Sequence, residues 1–409
     1  MNHQRTMPQR AVYMDNHATT RVDPRVVEAM LPYFTETFGN AASTTHEFGF
    51  KAREAVVAAR ESIAAGIGAR AKEIVFTSGA TESNNLAIRG VVDSPRRKGK
   101  HLISVATEHP AVLDPLKKLG GRGYDVTYLP VIQAPDERAG CILPDQVAEA
   151  IRDDTLLVSV MLANNEIGVL QPLEEIGRIS KERGVLLHTD ATQAVGKIPV
   201  DVQRLGVDLL SFSAHKIYGP KGVGVLYTRR RAPFVRLEPL IFGGGHEHGL
   251  RSGTLNVPGI VGFARALELC LEEMSAESRR LRALRDRLYE GLAAAVPDVQ
   301  INGPALSLSH LRLPGNLNVS FPNVDGEALL MSTPGVAVSS GSACTSAKPE
   351  PSHVLRALGI GDDLTRGSLR FGLGRFNTAE DVELVIGAIS ESVTRLRRMS
   401  GLPMLRPEI

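Results

Sequence analysis

The chain has 409 residues, 43% hydrophobic and 22% charged, the balance of an ordinary globular protein and too long for one small core, so two domains are expected. A net charge of +2 implies no polyanionic partner, and no direct nucleic-acid binding is expected. No stretch approaches the roughly 18 apolar residues of a membrane span, and Met1–Arg10 lacks the apolar run of a secretory leader.

Short β-rich runs alternate with helical patterns through the first two-thirds of the sequence. The runs are Glu73–Thr77, His101–Ala106, Val126–Val131, Leu156–Ala163, Val185–Thr189, Leu209–Ser213 and Gly222–Thr228. Several are continuously apolar, as strands covered on both faces must be. Helical segments such as Ala52–Ala65 and Leu173–Arg183 lie between them. The alternation predicts an α/β fold with a mostly parallel sheet and helices on both faces. After Pro258 the texture changes: Ile260–Ala294 reads as one long helix, and a mixed α+β segment follows. The expected division is a large domain over 18–262 and a small domain built from 1–17 and 263–409.

Ligands of open α/β sheets bind beyond the carboxyl ends of the strands. Ser78-Gly79-Ala80-Thr81 follows the first run, Glu108-His109 the second and Asn164-Asn165-Glu166 the fourth. Asp190 ends the fifth and His215-Lys216 the sixth. Five strand ends meeting at one rim carry more weight than any single motif.

Each of these residues has a plain structural reading beside the chemical one. A lysine near another cation and partly desolvated has a lowered pKa and can form a Schiff base; Lys216, next to Ser213 and His215, fits that, or is a surface lysine. Asp190 can hold a pyridine nitrogen protonated, or cap a helix. Gly79-Ala80-Thr81-Glu82-Ser83, between a strand and a helix, suits a phosphate, or is a common helix start. It lacks the P-loop spacing, so a nucleoside triphosphate is not favoured. Arg370 can grip a carboxylate with two parallel hydrogen bonds, or form a structural ion pair.

The three cysteines, Cys141, Cys270 and Cys344, are odd in number and far apart, which points to a reducing compartment, and a cytoplasmic setting is expected. The composition of Gly335–Pro351 predicts a loop rather than a strand or helix, and a loop cysteine such as Cys344 is a candidate reactive thiol. Cys270 falls in a helical stretch and reads as core packing. There is no CxxC, and His246-Glu247-His248 has no evident third ligand, so no resident metal is expected.

Taken together, Tyr13–Thr20 (YMDNHATT), Thr77–Asn85 (TSGATESNN), Asn164–Gly168 (NNEIG), Asp190–Gln193 (DATQ), Ser211–Gly222 (SFSAHKIYGPKG), Arg251–Thr254 (RSGT), Ser339–Ser346 (SSGSACTS) and Arg370–Phe376 (RFGLGRF) resemble the cysteine desulfurases. These form a class V branch of the fold-type I pyridoxal-phosphate enzymes. The similarity runs from about Val12 to about Leu396. It implies a large domain with a mostly parallel seven-stranded sheet and a smaller α+β domain. It implies that pyridoxal 5'-phosphate is bound by Lys216 as a Schiff base, with Asp190 on the pyridine nitrogen and Gln193 on the ring hydroxyl. His109 would stack on the ring and move protons. Ala80, Thr81, Ser213 and His215 would hold the phosphate, with Thr254 reaching the phosphate of the other subunit of a homodimer. Asn165 and Arg370 would bind the substrate carboxylate.

Cys344 matches the thiol that takes sulfur from L-cysteine as a persulfide, leaving alanine. The Cys344 segment resembles the group with a long mobile cysteine loop that feeds iron–sulfur cluster assembly, with tRNA thiolation as another outlet. The partners implied are an iron–sulfur scaffold or another sulfur acceptor, with transient contact between Cys344 and a cluster. Selenocysteine lyase and a non-catalytic sulfur-assembly subunit are the rival readings. The sequence departs from the pattern at Asn16-His17, Pro110 and Ala214, none of which removes a catalytic group. The short tail Gly401–Ile409 bears on scaffold docking and not on the chemistry.

Overall fold

The computed structural model describes residues 11–95, 99–232, 234–340 and 351–400. Cys344, Met1–Arg10 and the tail Gly401–Ile409 lie outside the described residues.

Seven strands form the main sheet: β1 (Ile74–Thr77), β2 (His101–Val105), β3 (Asp125–Leu129), β4 (Thr155–Ser159), β5 (Leu186–Asp190), β6 (Leu209–Ser213) and β7 (Gly224–Thr228). Their spatial order is β1-β7-β6-β5-β4-β2-β3. The neighbours from β6 to β3 run parallel, and β7 is antiparallel to both β6 and β1.

Continuous apolar strands send alternate residues to opposite faces. Phe76, Ile103, Val158, Leu210 and Val225 join one core, with Val56 and Ile63 of the helix Glu47–Gly66. Val75, Leu102, Leu157, Leu209 and Leu226 join the other, under the helices Ala80–Val92 and Pro110–Gly120. The α/β fold with helices on both faces is therefore present as the sequence predicts.

A further core surrounds a four-stranded sheet of Gln300–Ile301, Asn316–Ser320, Ser339–Ser340 and Ser368–Gly372. The 39-residue helix Val257–Ala295 connects the two regions. Its first turns bury Ile260, Phe263 and Leu267 in the main core, and its last bury Leu284, Leu288 and Leu292 in the other.

Two sequence expectations need correction. The segment from Gly335, read as loop, begins with strands at Val336–Ala337 and Ser339–Ser340. Val336 pairs in parallel with Val12, and Ser340 pairs with Leu369, so tertiary partners override the composition of a glycine- and serine-rich stretch. The fourth run, expected to Ala163, ends its strand at Ser159. Beyond it the Met161 N–H turns to the Glu108 carboxylate at 2.5 Å, a side-chain partner where a ladder would need a backbone one.

Residues 12–15 belong to the smaller sheet region, with Met14 in its core and Asp15 bridging to Gly372. The chain then crosses to the main sheet. Thr20 N–H donates to the His215 carbonyl at 2.9 Å, and Asp23 N–H to the Tyr218 carbonyl at 3.0 Å. Asn16–Thr19 are thereby laid across the ends of the strands.

Candidate active site

The carboxyl ends of the strands open into a cavity of about 620 Å³, within the usual range for small-molecule sites. Its wall includes Ala80, Thr81, His109, Asn165, Asp190, Gln193, Ser213, His215, Lys216 and Arg370, so these expected residues do come together. Thr254 does not join them; it is exposed and outside the wall. The sequence reading missed His17, Asn84, Lys221 and Met161, which also line the cavity. Asn84 had a signal: it lies one helical turn after Ala80 and so shares its face.

Lys216 closes a 3-10 turn directly after β6. Its Nζ donates to the carbonyls of His17 at 2.5 Å and Ala18 at 2.7 Å. The N-terminal crossing segment thus holds the amine at the cavity.

Asp190 ends β5 and is 6% exposed. Its Oδ2 accepts from Asn84 Nδ2 at 2.7 Å and its Oδ1 from Thr192 N–H at 2.9 Å. Two donors on separate elements fix the carboxylate before any ligand arrives.

His109 caps the helix Pro110–Gly120, with Nδ1 accepting from Ala111 N–H at 3.0 Å. That contact leaves the ring hydrogen on Nε2. Burial, with Lys216 and His353 adding positive charge, lowers its pKa and keeps the imidazole neutral. Burial and the neighbouring lysines push His215 down to about 4. The buried Glu108 beside His109 moves the other way: burial raises its carboxyl well above the usual range.

The helix Ala80–Val92 starts at Gly79 with no side-chain cap on its first amides. Free N–H groups at a helix N-terminus attract an anion. Glu82 stands in the first turn, but Arg251 pairs with it at 2.9 Å and offsets its charge. Lys221 and His215 line the same cavity.

Arg370 lies in the strand Ser368–Gly372 and is 4% exposed. Its Nη2 donates to Asp15 Oδ1 at 2.8 Å and Ser339 Oγ at 2.9 Å, and Nη1 to the Asn165 carbonyl at 3.0 Å. Its buried Nε has no partner among the described residues. Outside the cavity, Glu247 of the His246-Glu247-His248 triplet is engaged by Arg60 at 2.6 Å and by Phe76 N–H at 2.8 Å.

The donor set fits pyridoxal phosphate: a lysine amine, a buried fixed carboxylate, a neutral imidazole and an uncapped helix N-terminus share one cavity of suitable size. Fold and cavity together define a fold-type I pyridoxal-phosphate enzyme. The family model for Aminotransferase class-V matches residues 12–385.

The chain is 58% identical over 391 residues to the protein named cysteine desulfurase IscS of Anaeromyxobacter sp. (strain Fw109-5), covering 96% of this chain and 94% of that one. It is 54% identical, with the same coverage, to the protein of that name from Methylococcus capsulatus. Among solved structures it is similar to a NifS-like protein, with a TM-score of 0.85, 41% identity, and 94% and 100% of the two chains covered. It is also similar to a structure titled SspA in complex with cysteine, with a TM-score of 0.76, 37% identity, and 90% and 99% covered. The chain belongs to the cysteine desulfurase family, within the class-V aminotransferases.

Proposed function

We propose that this protein converts L-cysteine to L-alanine, placing the sulfur on Cys344 as a persulfide and passing it to an acceptor protein. The observation that carries this reading is the meeting of Lys216, Asp190, His109 and Arg370 around one cavity.

In this reading Lys216 holds the cofactor, and Asp190 sits against its pyridine nitrogen. Gln193 meets the ring hydroxyl and His109 the ring face. The N-terminal amides at Ala80 and Thr81, with Ser213 and His215, receive the phosphate. When bound, the cofactor supplies an electron sink for the substrate Cα.

The protein's own groups do the rest. Arg370 can release Nη1 from the Asn165 carbonyl to take the substrate carboxylate with a charged donor, Nη2 lying beside it in the same plane. Asn165, on the same wall, adds a side-chain amide. Lys216 and neutral His109 are the groups that carry protons near the substrate. The Cys344 thiolate then attacks the substrate sulfur: the S–S bond forms as the Cβ–S bond breaks, and the electron pair stays with the carbon fragment that becomes alanine.

Ser352 Oγ donates to Glu166 Oε2 at 2.5 Å, and the His353 ring lies 2.9 Å from the Glu108 carbonyl. These contacts anchor residues just after the Cys344 segment close to His109, which supports delivery of that thiol to the cavity.

A homodimer fits two features. Thr254 is exposed and away from its own cavity, as a residue serving a partner's phosphate site would be. Phe34, Phe38, Phe48 and Phe50 leave large apolar surfaces exposed, with Phe38 and Phe48 rings 5.5 Å apart. Closed two-fold dimers are also the commonest oligomers. The division into a large domain over 18–262 and a small one from 1–17 and 263–409 is part of the same reading. So are a cytoplasmic setting and an iron–sulfur scaffold as acceptor. Among the described residues no helix is long and apolar enough to cross a membrane.

The test is alanine release from L-cysteine together with mass mapping of the persulfide. Turnover with sulfur on Cys344 is expected. Normal turnover by Cys344→Ser would refute the persulfide route.

A further inference from the structure

Gln193 stands in the wall of the cavity, and the orientation of its amide decides whether a ligand meets a donor or an acceptor. Three contacts settle it. Nε2 donates to the His17 carbonyl at 2.8 Å. Oε1 accepts from Lys197 Nζ at 2.7 Å and lies 3.1 Å from His17 Nδ1. A flipped amide would set NH₂ against the lysine amine and C=O against a carbonyl.

The same logic fixes His17. Facing Oε1, its Nδ1 carries the hydrogen, and the ring is neutral: burial first, then Lys197, Arg370 and Lys216, pushes its pKa well below the usual value.

Lys197 reaches this position through a tight turn four residues after Gln193. Gly196, at φ 75°, would place a Cβ 2.9 Å from Ile217 and 3.1 Å from Cys270, so the chain passes too close for a side chain there. The acids beside Lys197, Glu273 and Glu277, are taken by Arg25, Arg375 and Arg280. Lys197 turns instead to a neutral amide.

We propose that Lys197 is a positioning residue for the cofactor: its amine, with His17 as a second clamp, locks Gln193 so that the amide presents N–H to the ring hydroxyl oxygen. One Nε2 hydrogen is held by the His17 carbonyl, and the other is left for the cavity. This rests on Gln193 facing the ring hydroxyl, as set out above. A donor on that oxygen draws electron density from the ring. It therefore lowers the pH at which the visible band of the bound cofactor titrates. The other charged or titratable groups facing this region are His17, Lys216, Arg370, Arg375, Glu273 and the neutral Cys270 thiol.

The experiment uses full-length protein freed of cofactor and reloaded with pyridoxal 5'-phosphate. Wild type, Lys197→Met, Gln193→Ala and the double variant are compared for affinity and for the pH midpoint of the visible band. Lys197→Met is expected to raise the midpoint by about one pH unit, a tenfold change in proton affinity, and to weaken binding severalfold. Gln193→Ala should move it the same way, and the double variant no further than the larger single. An unmoved or lowered midpoint, or fully additive shifts, would overturn the proposal. So would a lower melting temperature with the midpoint in place, the mark of a merely structural lysine. Lys197→Gln serves if the Met variant does not fold. A wild type that gains no visible band would instead sink the cofactor assignment beneath it.

Discussion

Replacing Arg370 tests the substrate end of the cavity most directly. The guanidinium is 4% exposed and held by Asp15, Ser339 and the Asn165 carbonyl, with Nε unpartnered. A substrate carboxylate can take Nη1 in place of the Asn165 carbonyl while Asp15 and Ser339 keep the side chain in position. Each charge-assisted hydrogen bond contributes about 1.5–3 kcal/mol. Arg370→Lys removes the planar fork and leaves one charged donor for two acceptors, since Asp15 still needs its partner. Losing one such bond of about 1.5–3 kcal/mol lowers kcat/KM for L-cysteine by roughly 10- to 150-fold. Arg370→Ala also strands the Asp15 carboxylate, and its loss should be larger. The effect should sit mainly in KM, because a carboxylate grip acts in ground state and transition state alike. The assay is steady-state alanine release across L-cysteine concentration, with the visible spectrum recorded beside it. The cofactor band should persist, since Lys216 and Asp190 are untouched. An Arg370→Lys enzyme within twofold of wild type, or one that loses the band, would refute the reasoning.

Lys216→Ala should abolish the borohydride-stable adduct with the cofactor, and an adduct mapped by mass spectrometry to another lysine would contradict the assignment. Cys270→Ser and Cys141→Ser should keep alanine release near wild type, because both thiols are buried and burial pushes each up to about 11, away from nucleophilic use. Loss of turnover in either, with the fold intact, would put a second thiol in the sulfur path. Acid should destabilise the protein earlier than its carboxylates alone predict. His188, fully buried between Ser159 and Ser211, is pushed by burial from 6.5 down to about 4. The unfolded chain takes up a proton in that window that the folded chain refuses, so its stability contribution is complete above 6.5 and falls by ~3 kcal/mol as pH drops towards 4. A urea midpoint that stays flat from 6.5 to about pH 5 would disprove this.

Much of the architecture was legible because buried parallel strands leave an unmistakable trace. Leu209–Ser213 is a strand over the same residues that the sequence marks as a β-rich run, and the helices between strands follow the 3.6-residue period. The cavity was legible for a related reason: polar residues placed directly after apolar runs must gather at one rim of such a sheet. What stayed hidden depended on partners far away in sequence. Val336–Ala337 forms a strand because Val12 and Tyr13 lie beside it, more than 300 residues earlier in the chain. Asp15 carries no mark of its role until Arg370 is found against it at 2.8 Å.

His17 is the clearest case of information that only the fold supplies. In the sequence it is one polar residue in YMDNHATT, and nothing about its spacing distinguishes core from site. The structure uses it twice. Its carbonyl receives both Lys216 Nζ and Gln193 Nε2, and its ring faces Gln193 Oε1. A single residue of the crossing segment thus ties the proposed cofactor lysine to the amide that would meet the ring hydroxyl. The backbone share of that work is open to any residue at this position, since it needs only a carbonyl. The ring share is not. His17→Ala should therefore keep cofactor binding, because both carbonyl contacts survive, and lose only the second clamp on Gln193. The band midpoint should shift in the same direction as in Lys197→Met but by less, because the Lys197 amine still holds Oε1. Apo-protein reloaded with pyridoxal 5'-phosphate gives the measurement. A His17→Ala protein that cannot bind the cofactor at all would show that the ring, and not the carbonyl, organises this wall.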